Sequence, residues 1–326
     1  MLQEFIKNVW GLTPNKIEKS KVGAGSDTYF ITCNEGKYVL KFPSQSEINL
    51  PEREAHLCTY LLGQGVPVSE FIKSKKETYI VEDELGRKCH MQKFVEGITY
   101  EYNRAPQWLM KKSAQRLGEI HRVLKNYPDL PEGIGKNFFQ YMTPENALSS
   151  YLQTLELARK NEDTDIEEDL LYRVQLIERF PKFNFDLERL TCQNTHGDYM
   201  IEQLICGEDD ILAIIDWTCA CKHPVIWEIM RSYVYASPKC GEGKIDINEL
   251  ISYVEAYLSY APLKRYDREQ LGNLFYYQIA VCDYYRQYYE SQADNRGIYL
   301  KQAKLSTKLM KWFEENSNKL RHELLQ

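Results

Sequence analysis

The sequence predicts an α+β protein with two lobes, a small β-rich N-terminal lobe over residues 1–97 and a large, mainly helical C-terminal lobe over residues 98–326. Two patterns and the chain length lead to this prediction. Short apolar segments separated by turns containing Gly or Asn fill the chain up to Gly97, whereas longer segments with helical periodicity fill it from about residue 105. A length of 326 residues suits two domains or one enzyme with two lobes.

The N-terminal lobe is predicted to contain an amphipathic first helix and short strands around a second helix. Apolar residues at positions 2, 5, 6, 9 and 10 are typical of a helix with one buried face. Pro51, followed by Glu-Arg-Glu, opens a helix that runs to about Gly63. The predicted strands are residues 17–22, 28–33, 37–42, 71–73, 77–82 and 88–95.

The C-terminal lobe is predicted to be helical apart from one short hairpin at about residues 201–217. Its sequence contains no internal repeat and no low-complexity linker, so the helices are expected to form one lobe. The predicted helices are residues 105–126, 145–160, 165–179, 225–236, 246–260, 267–291 and 294–323.

Composition and charge exclude several classes of protein. Lys and Arg number 41 and Asp and Glu number 47, giving a net charge of −6, whereas nucleic-acid-binding proteins usually have a basic excess. The chain has no run of 18 apolar residues and its start lacks the features of a signal peptide, so we expect no membrane association and no export. Nine scattered cysteines, an odd number, are typical of reduced thiols in a cytoplasmic protein.

The predicted hairpin is the most informative part of the sequence. Two apolar segments, 201–206 and 211–217, flank a four-residue loop that contains Gly, Glu and two Asp. If Cys206 pairs with Ile211 beside the loop, Gln203 lies opposite Ile214. The same register places Ile201 opposite Asp216, so the far end of the hairpin carries polar residues from both strands.

Asp198 lies three residues before this hairpin, in the segment His196-Gly197-Asp198. The register predicts that the carboxylates of Asp198 and Asp216 and the amide carbonyl of Gln203 converge. Phosphoryl transfer needs such a set, because one carboxylate orients the attacking hydroxyl while a second, with an amide oxygen, holds Mg²⁺ against the nucleotide phosphates. A single Asp near a turn is weak evidence, since turns favour Asp for conformational reasons.

The segment resembles the aminoglycoside phosphotransferase and choline kinase superfamily, which are small-molecule kinases with a protein-kinase-like fold. The resemblance rests on His-Gly-Asp, an amide five residues later, and an apolar strand ending in Ile214-Ile215-Asp216-Trp217. It implies a bilobal protein-kinase-like fold, the cofactors ATP and Mg²⁺, Asp198 as the catalytic residue, and Gln203 and Asp216 as metal ligands. Gln203 departs from the usual Asn of the family but offers the same carbonyl on a longer side chain.

Two features of the N-terminal lobe fit the same family. The turn containing Gly23, Gly25 and Ser26 lies between two strands, where backbone amides can approach phosphates. Lys41 lies in an apolar strand sixteen residues after Gly25, and the resemblance makes it the lysine that binds the ATP phosphates. The turn does not have the spacing of a P-loop.

A helix and a strand after Lys41 extend the resemblance, which covers residues 17–235. Glu54, in the helix that begins at Pro51, is expected to form an ion pair with Lys41, and Glu52 is the alternative partner. The segment from Met91 to Gly97, with Gln92 and Phe94, matches the family's hinge, whose backbone would hydrogen-bond the adenine base.

The sequence leaves the acceptor and two other functions open. The acceptor is expected to be a hydroxyl-bearing small molecule, such as an aminoglycoside, an amino alcohol, homoserine or a sugar. One alternative is a catalytically inactive kinase-fold protein with a binding or structural role, as in spore-coat-like relatives. A protein kinase is disfavoured because the loop has Gly197 where His-Arg-Asp has Arg, and Asp216 is followed by Trp217 instead of Phe-Gly. The choice between ATP and GTP and the oligomeric state also remain open.

Several other residues are expected to stabilise the C-terminal lobe. His121 is assigned to packing, His196 to bracing of the loop around Asp198, and Glu228 and Arg231 to structural ion pairing. A cluster of tyrosines is interpreted as core with hydroxyl groups reaching water, and an aromatic box for a cationic acceptor is the alternative. These tyrosines are Tyr277, Tyr284, Tyr285, Tyr288 and Tyr289.

Overall fold

A computed structural model describes residues 1–20, 26–43, 51–291 and 293–326, and it confirms the α+β class. The strands are β1 (Pro14–Lys19), β2 (Asp27–Cys33), β3 (Gly36–Phe42), β4 (Phe71–Ile72), β5 (Ile80–Glu82), β6 (Lys88–Lys93), β7 (Cys192–Thr195), β8 (Leu204–Cys206), β9 (Ile211–Ile214) and β10 (Cys221–Pro224). The helices are α1 (Leu2–Trp10), α2 (Pro51–Gly63), α3 (Gln107–Leu124), α4 (Lys136–Tyr141), α5 (Pro144–Lys160), α6 (Thr164–Glu178), α7 (Val225–Ala236), α8 (Pro238–Gly241), α9 (Ile247–Leu258), α10 (Arg265–Val281), α11 (Tyr284–Glu290) and α12 (Ala293–Glu323).

The first of two units comprises Met1–Thr99 and Gln203–Ala220. Its antiparallel sheet has the strand order β1-β2-β3-β6-β4, and β5 pairs with β6. Helix α1 packs its apolar face on one side of the sheet, as the spacing of its apolar residues predicts. The core cluster between α1 and the sheet consists of Ile6, Trp10, Ile31, Cys33, Leu40, Phe42, Cys89 and Met91.

Strand alternation determines which side chains face away from this core. Leu40 and Phe42 are buried in the core, so Lys41 between them projects from the opposite face of β3. On β6 the neighbour of Lys41 is His90, which lies between the core residues Cys89 and Met91. The face opposite α1 therefore presents Lys41 and His90 side by side.

The hairpin β8–β9 belongs to the first unit, although the predicted boundary at residues 97 and 98 groups it with the C-terminal lobe. Backbone hydrogen bonds in both directions join Cys206 to Ile98, and the Ile214 N–H donates to the Pro67 carbonyl at 2.9 Å. These contacts join the hairpin to the end of the N-terminal segment at Ile98 and to the loop after α2 at Pro67.

The predicted register of this hairpin is wrong by one residue beyond the loop. Cys206 pairs with Ile211 as expected, but an irregularity next to this pair brings Leu204, instead of Gln203, opposite Ile214. Residues Ile201–Gln203 form a 3₁₀ turn, so the predicted strand pairing at Ile201 does not form. β9 therefore has one more residue than β8 next to the loop, which makes a β-bulge. The alternation of apolar residues does not reveal a bulge in so short a strand.

The second unit comprises Tyr100–Glu202 and Cys221–Gln326 and is mainly helical. Helix α3 packs against α7 and α9, α5 against α6, and α12 against α10 and α11. The side chain of Thr143 caps α5 by accepting from the Asn146 N–H, and Asp246 caps α9 by accepting from the Glu249 N–H. Within the residues that the structure describes, no helix is both long and apolar enough to cross a membrane.

The helix predicted over residues 267–291 is two helices, α10 and α11, that meet at Cys282 and Asp283. Asp283 is the N-cap of α11 and accepts from the Arg286 N–H at 2.9 Å. Its other carboxylate oxygen accepts from the hydroxyls of Ser150 and Thr154 on α5. A buried aspartate with these partners stabilises a break that the apolar periodicity of the segment does not show.

The buried members of the tyrosine cluster lie in the core, as the first interpretation predicts, whereas the hydroxyl groups of Tyr277 and Tyr285, predicted to reach water, bind protein acceptors. Tyr277 donates to the Met142 carbonyl at 2.8 Å, and the buried Tyr285 hydroxyl donates to Asp169. The ring of Tyr285 also contacts the buried guanidinium of Arg173, at 5.1 Å from the ring centre. The cation in contact with this ring is thus a residue of the protein.

Candidate active site

In the first unit, Lys41 and Asp216 form an ion pair with 3.0 Å between Nζ and Oδ1. Asp216 has a left-handed backbone with φ of 63°, a conformation that Asp tolerates better than most residues. The hydroxyl of Thr218 donates to the same carboxylate oxygen at 2.9 Å. Two residues that the sequence analysis assigned to ATP and to the metal are therefore direct neighbours.

Helix α2 holds the segment around Asp216 in place. Glu54 is buried, and its carboxylate accepts from the backbone N–H of Trp217 at 3.1 Å. The preceding residue, Arg53, donates to the Thr218 carbonyl at 3.2 Å. The helix predicted to carry the partner of Lys41 thus also fixes the backbone on the C-terminal side of Asp216.

Gln203 lies beside Asp216 at the open end of the β8–β9 hairpin. Its backbone carbonyl accepts from the Ile215 N–H at 3.0 Å, and Ile215 directly precedes Asp216. A side-chain amide carbonyl and a carboxylate are hard oxygen donors, which suit Mg²⁺. The donor chemistry of these two residues therefore fits the metal that the sequence predicts.

The predicted hinge is the end of β6, where Gln92 pairs with Val39 on β3 and with Phe71 on β4. The Phe94 N–H donates to the Lys37 carbonyl at 3.0 Å, so this donor already has an acceptor within the protein. A contact between this segment and adenine would therefore use other backbone groups. Ser26 directly precedes β2, and the predicted phosphate-binding residues Gly23 and Gly25 lie outside the described residues.

His90 is a candidate site residue that the sequence analysis missed. It is 1% exposed and lies beside Lys41 in the sheet, and its Nδ1 atom has no hydrogen-bond partner among the described residues. Burial, together with the nearby Lys41 charge, lowers the pKa of His90 to about 3. A neutral imidazole therefore adjoins Lys41 at physiological pH. The polar residue between the apolar Cys89 and Met91 was the available signal.

In the second unit, the loop that carries Asp198 is held by Glu228 of α7. The carboxylate of Glu228 is fully buried and accepts from the backbone N–H groups of Gly197, at 2.6 Å, and His196, at 3.2 Å. His196 in turn accepts from the Asp198 N–H through its Nδ1 atom at 3.3 Å. Glu228 and His196 therefore brace the loop.

His121 does more than pack, because its ring connects Glu228 to Tyr257. Its Nε2 atom lies 2.8 Å from the Glu228 carboxylate and its Nδ1 atom lies 2.9 Å from the Tyr257 hydroxyl. An ionised carboxylate can only accept, so Nε2 donates to Glu228. Although burial opposes ionisation of Glu228, the hydrogen bond from His121 lowers its pKa to about 2.

Asp198 forms an ion pair with Arg231, which lies on the same face of α7 as Glu228. The Nη2 atom of Arg231 donates to Oδ1 of Asp198 at 2.6 Å. Burial lowers the pKa of Arg231, but the nearby Asp198 carboxylate outweighs burial and raises this pKa well above its ordinary value. The sequence predicts an ion pair at Arg231 but does not identify Asp198 as the partner.

The model of a phosphotransferase enzyme family, whose short name is APH, matches residues 16–267, which is more than half of the chain. The chain belongs to this phosphotransferase enzyme family. The match includes Lys41, Glu54, Asp198, Gln203 and Asp216. No curated protein sequence matches the chain significantly.

Solved structures similar to this phosphotransferase show a kinase-like fold. A spectinomycin phosphotransferase in complex with ADP and spectinomycin is 13% identical, with a TM-score of 0.63 over 96% of this chain and 98% of that one. An amicoumacin kinase in complex with AMP-PNP, Ca²⁺ and Ami is also 13% identical, with a TM-score of 0.63 over 94% of this chain and 92% of that one. A microcompartment-associated aminopropanol kinase is 12% identical, with a TM-score of 0.62 over 100% and 98%.

Glu228→Gln is expected to destabilise this phosphotransferase and to lower its activity. Gln removes the charge that accepts from two backbone N–H groups and from His121, and it places an amide N–H₂ group where only acceptors fit. We expect the free energy of unfolding to fall by about 2 kcal/mol, measured by urea denaturation. Glu255→Gln, at an exposed position of α9, is the control and is expected to have no effect. An unchanged stability of Glu228→Gln would contradict the bracing role.

The stability of the phosphotransferase is expected to fall as the pH drops below about 6.5. Burial lowers the pKa of His90 to about 3 and that of His223 to about 4, and Nδ1 of His223 accepts from the Ile134 N–H. In the unfolded chain each of these histidines has an ordinary pKa of about 6.5, so it binds a proton at pH 5.5, whereas in the folded protein it stays neutral. This difference lowers the free energy of unfolding by about 1.4 kcal/mol for each histidine at pH 5.5. Urea denaturation at pH 7.5 and 5.5 measures the loss. His90→Gln is expected to remove about half of it, and equal stability at both pH values would refute this account.

Proposed function

We propose that the protein transfers the γ-phosphoryl group of ATP, in the presence of Mg²⁺, to a hydroxyl group of a small molecule. The observation that carries the proposal is the 3.0 Å ion pair between Lys41 and Asp216, which brings together the two residues assigned to nucleotide and metal. The family match over residues 16–267 supports the same reaction class.

The nucleotide-binding residues of the proposal lie in the first unit. Lys41 would bind the ATP phosphates and Glu54 would keep it in position, while Gln203 and Asp216 would hold Mg²⁺. When bound, the metal would neutralise negative charge on the phosphates. The proposal also retains Gly23, Gly25 and Ser26 as a phosphate-binding turn and the segment containing Gln92 and Phe94 as the adenine-binding hinge.

Asp198 is proposed as the catalytic residue. Its carboxylate would accept a hydrogen bond from the acceptor hydroxyl and take up the proton as the oxygen attacks phosphorus. The transition state of phosphoryl transfer is loose, so correct positioning of the hydroxyl matters more than the basicity of the carboxylate. The hydrogen bonds from backbone N–H groups to Glu228 favour such positioning, because they fix the loop on which Asp198 lies.

The family and the solved relatives support the acceptor class of the proposal. The three solved relatives described above are named as kinases or phosphotransferases of spectinomycin, amicoumacin and aminopropanol, and each of these molecules carries a hydroxyl group. For this chain we propose an aminoglycoside, an amino alcohol, homoserine or a sugar. A cytoplasmic location is part of the proposal, and it is supported by nine cysteines that are all free thiols.

ADP release across a panel of hydroxylated acceptors tests the proposal. The panel contains aminoglycosides, choline, ethanolamine, 1-amino-2-propanol, homoserine and several sugars, each with ATP and Mg²⁺. We expect one chemical class to stimulate ADP release well above the rate without acceptor. ATP binding without stimulation by any acceptor would favour a catalytically inactive protein, and absence of ATP binding would refute the assignment of the nucleotide site.

A further inference from the structure

Arg231 lies in an unusual environment next to Asp198. Its side chain is 11% exposed and that of Asp198 is 24% exposed. The guanidinium lies against two buried aromatic rings, with its Cζ atom 5.4 Å from the ring centre of Trp227 and 4.9 Å from that of Tyr235. The Sδ atom of Met200 is 3.6 Å from Nη2. Ion pairing with Asp198 and contacts with aromatic rings therefore dominate the surroundings of this cation.

The hydrogen bonding of Arg231 is incomplete, which distinguishes it from a purely structural arginine. Its Nε atom is buried and has no hydrogen-bond partner among the described residues. Arg173, also in the second unit, offers a direct comparison. Its Nε and both of its terminal nitrogens donate to hydroxyl or carbonyl oxygens, including those of Tyr151, Ala303 and Thr307. An arginine that serves stability alone is expected to resemble Arg173, because an unsatisfied buried donor is destabilising.

The geometry of α7 connects Arg231 to the loop around Asp198. Glu228 and Arg231 are three residues apart and share one face of the helix. Glu228 binds the loop backbone on either side of the His196–Gly197 peptide bond, and Arg231 binds the side chain of Asp198. One helix face therefore fixes both the backbone of this loop and the direction of its carboxylate.

We propose that Arg231 is a positioning residue for phosphoryl transfer. It binds one oxygen of the Asp198 carboxylate and so holds this carboxylate in the orientation that receives the acceptor hydroxyl. The inference rests on the proposed function, because it assigns Asp198 to the acceptor. Arg231 keeps the carboxylate from rotating and balances its charge in a largely buried place. It is not expected to contact the nucleotide.

The acceptor preference follows from the same arrangement. Trp227 and Tyr235 present their rings to Arg231, so these faces are filled by a cation of the protein. An ammonium group of an acceptor is therefore not expected to bind between these two rings. A cationic acceptor would have to place its charge elsewhere in the acceptor site.

Kinetics of matched arginine variants tests the role of Arg231. Lysine keeps the charge but not the fork of the guanidinium, so Arg231→Lys is expected to lower kcat about tenfold and Arg231→Met about 100-fold. The KM for ATP is expected to change less than about threefold, because the pair acts on the acceptor hydroxyl. Arg173→Lys is the control, and it is expected to lower the melting temperature while leaving kcat unchanged within about twofold.

A double-mutant cycle separates positioning of Asp198 from a general effect on the fold. If Arg231 acts through Asp198, adding Arg231→Met to Asp198→Asn lowers kcat no further. Additive losses, or a kcat of Arg231→Met within about twofold of the wild type, would overturn the inference. Wild-type protein that transfers no phosphoryl group to any acceptor would instead refute the proposed function, so the two failures are distinguishable.

Discussion

Asp198→Asn is expected to lower kcat of phosphoryl transfer by about 1000-fold, while the affinity for ATP stays within about threefold of the wild type. The amide has the size of the carboxylate but cannot take up the proton of the acceptor hydroxyl. Steady-state kinetics with the acceptor identified in the panel gives kcat, and calorimetry gives the affinity for ATP. A kcat within about threefold of the wild type would contradict the catalytic role of Asp198.

Asn is the informative substitution at this position because Asp198 also has a structural partner. Removing one charge of a buried ion pair typically costs about 3–5 kcal/mol, and both substitutions remove the counter-charge of Arg231, but Asn keeps an oxygen that accepts from the guanidinium whereas Asp198→Ala also leaves that donor without an acceptor. A loss of activity in the alanine variant would therefore mix catalysis with unfolding. The melting temperature should accompany the kinetics, with the exposed Asp129→Asn as the control.

Asp216→Asn is expected to raise the Mg²⁺ concentration needed for half-maximal activity more than about tenfold and to lower kcat about 100-fold. The substitution removes the carboxylate that we assign to the metal and breaks the 3.0 Å ion pair with Lys41. Asn tolerates the left-handed backbone at this position, where φ is 63°, so the fold is expected to persist. Activity is measured against Mg²⁺ at saturating ATP and acceptor.

Asp209→Asn provides the matched control for this prediction. Asp209 is an exposed aspartate in the loop between β8 and β9, so it belongs to the same hairpin but is not assigned to the metal. Its substitution is expected to leave the Mg²⁺ dependence unchanged. Equal Mg²⁺ dependence in Asp216→Asn and wild type would show that the metal ligand has been assigned to the wrong residue.

Most of the fold could be predicted from the sequence because its elements have clear periodic patterns. Apolar alternation revealed β3, and helical spacing together with a proline revealed α2. The errors occur where one residue changes the geometry without changing the pattern. A bulge beside Cys206 shifts the hairpin register, and the buried cap Asp283 divides a continuous apolar helix.

The candidate site could be predicted in part, since its motifs are local in sequence. Lys41, Asp198 and Asp216 are each predicted as site residues from their neighbours in the chain, and the structure adds the ion pair between Lys41 and Asp216. Arg231 could not be predicted as the partner of Asp198, because the two residues are 33 positions apart and only the packing of α7 brings them together. The neutral His90 beside Lys41 depends in the same way on the pairing of β3 with β6.

Transfer of the γ-phosphoryl group to the acceptor is the central claim, and mass spectrometry of the acceptor tests it most directly. ATP labelled with ¹⁸O in the γ-phosphoryl group, Mg²⁺ and the stimulating acceptor are incubated with wild type and with Asp198→Asn. We predict that the wild type gives an acceptor heavier by one labelled phosphoryl group and that the variant gives almost none. Label found only in inorganic phosphate, or equal product from both proteins, would contradict the account.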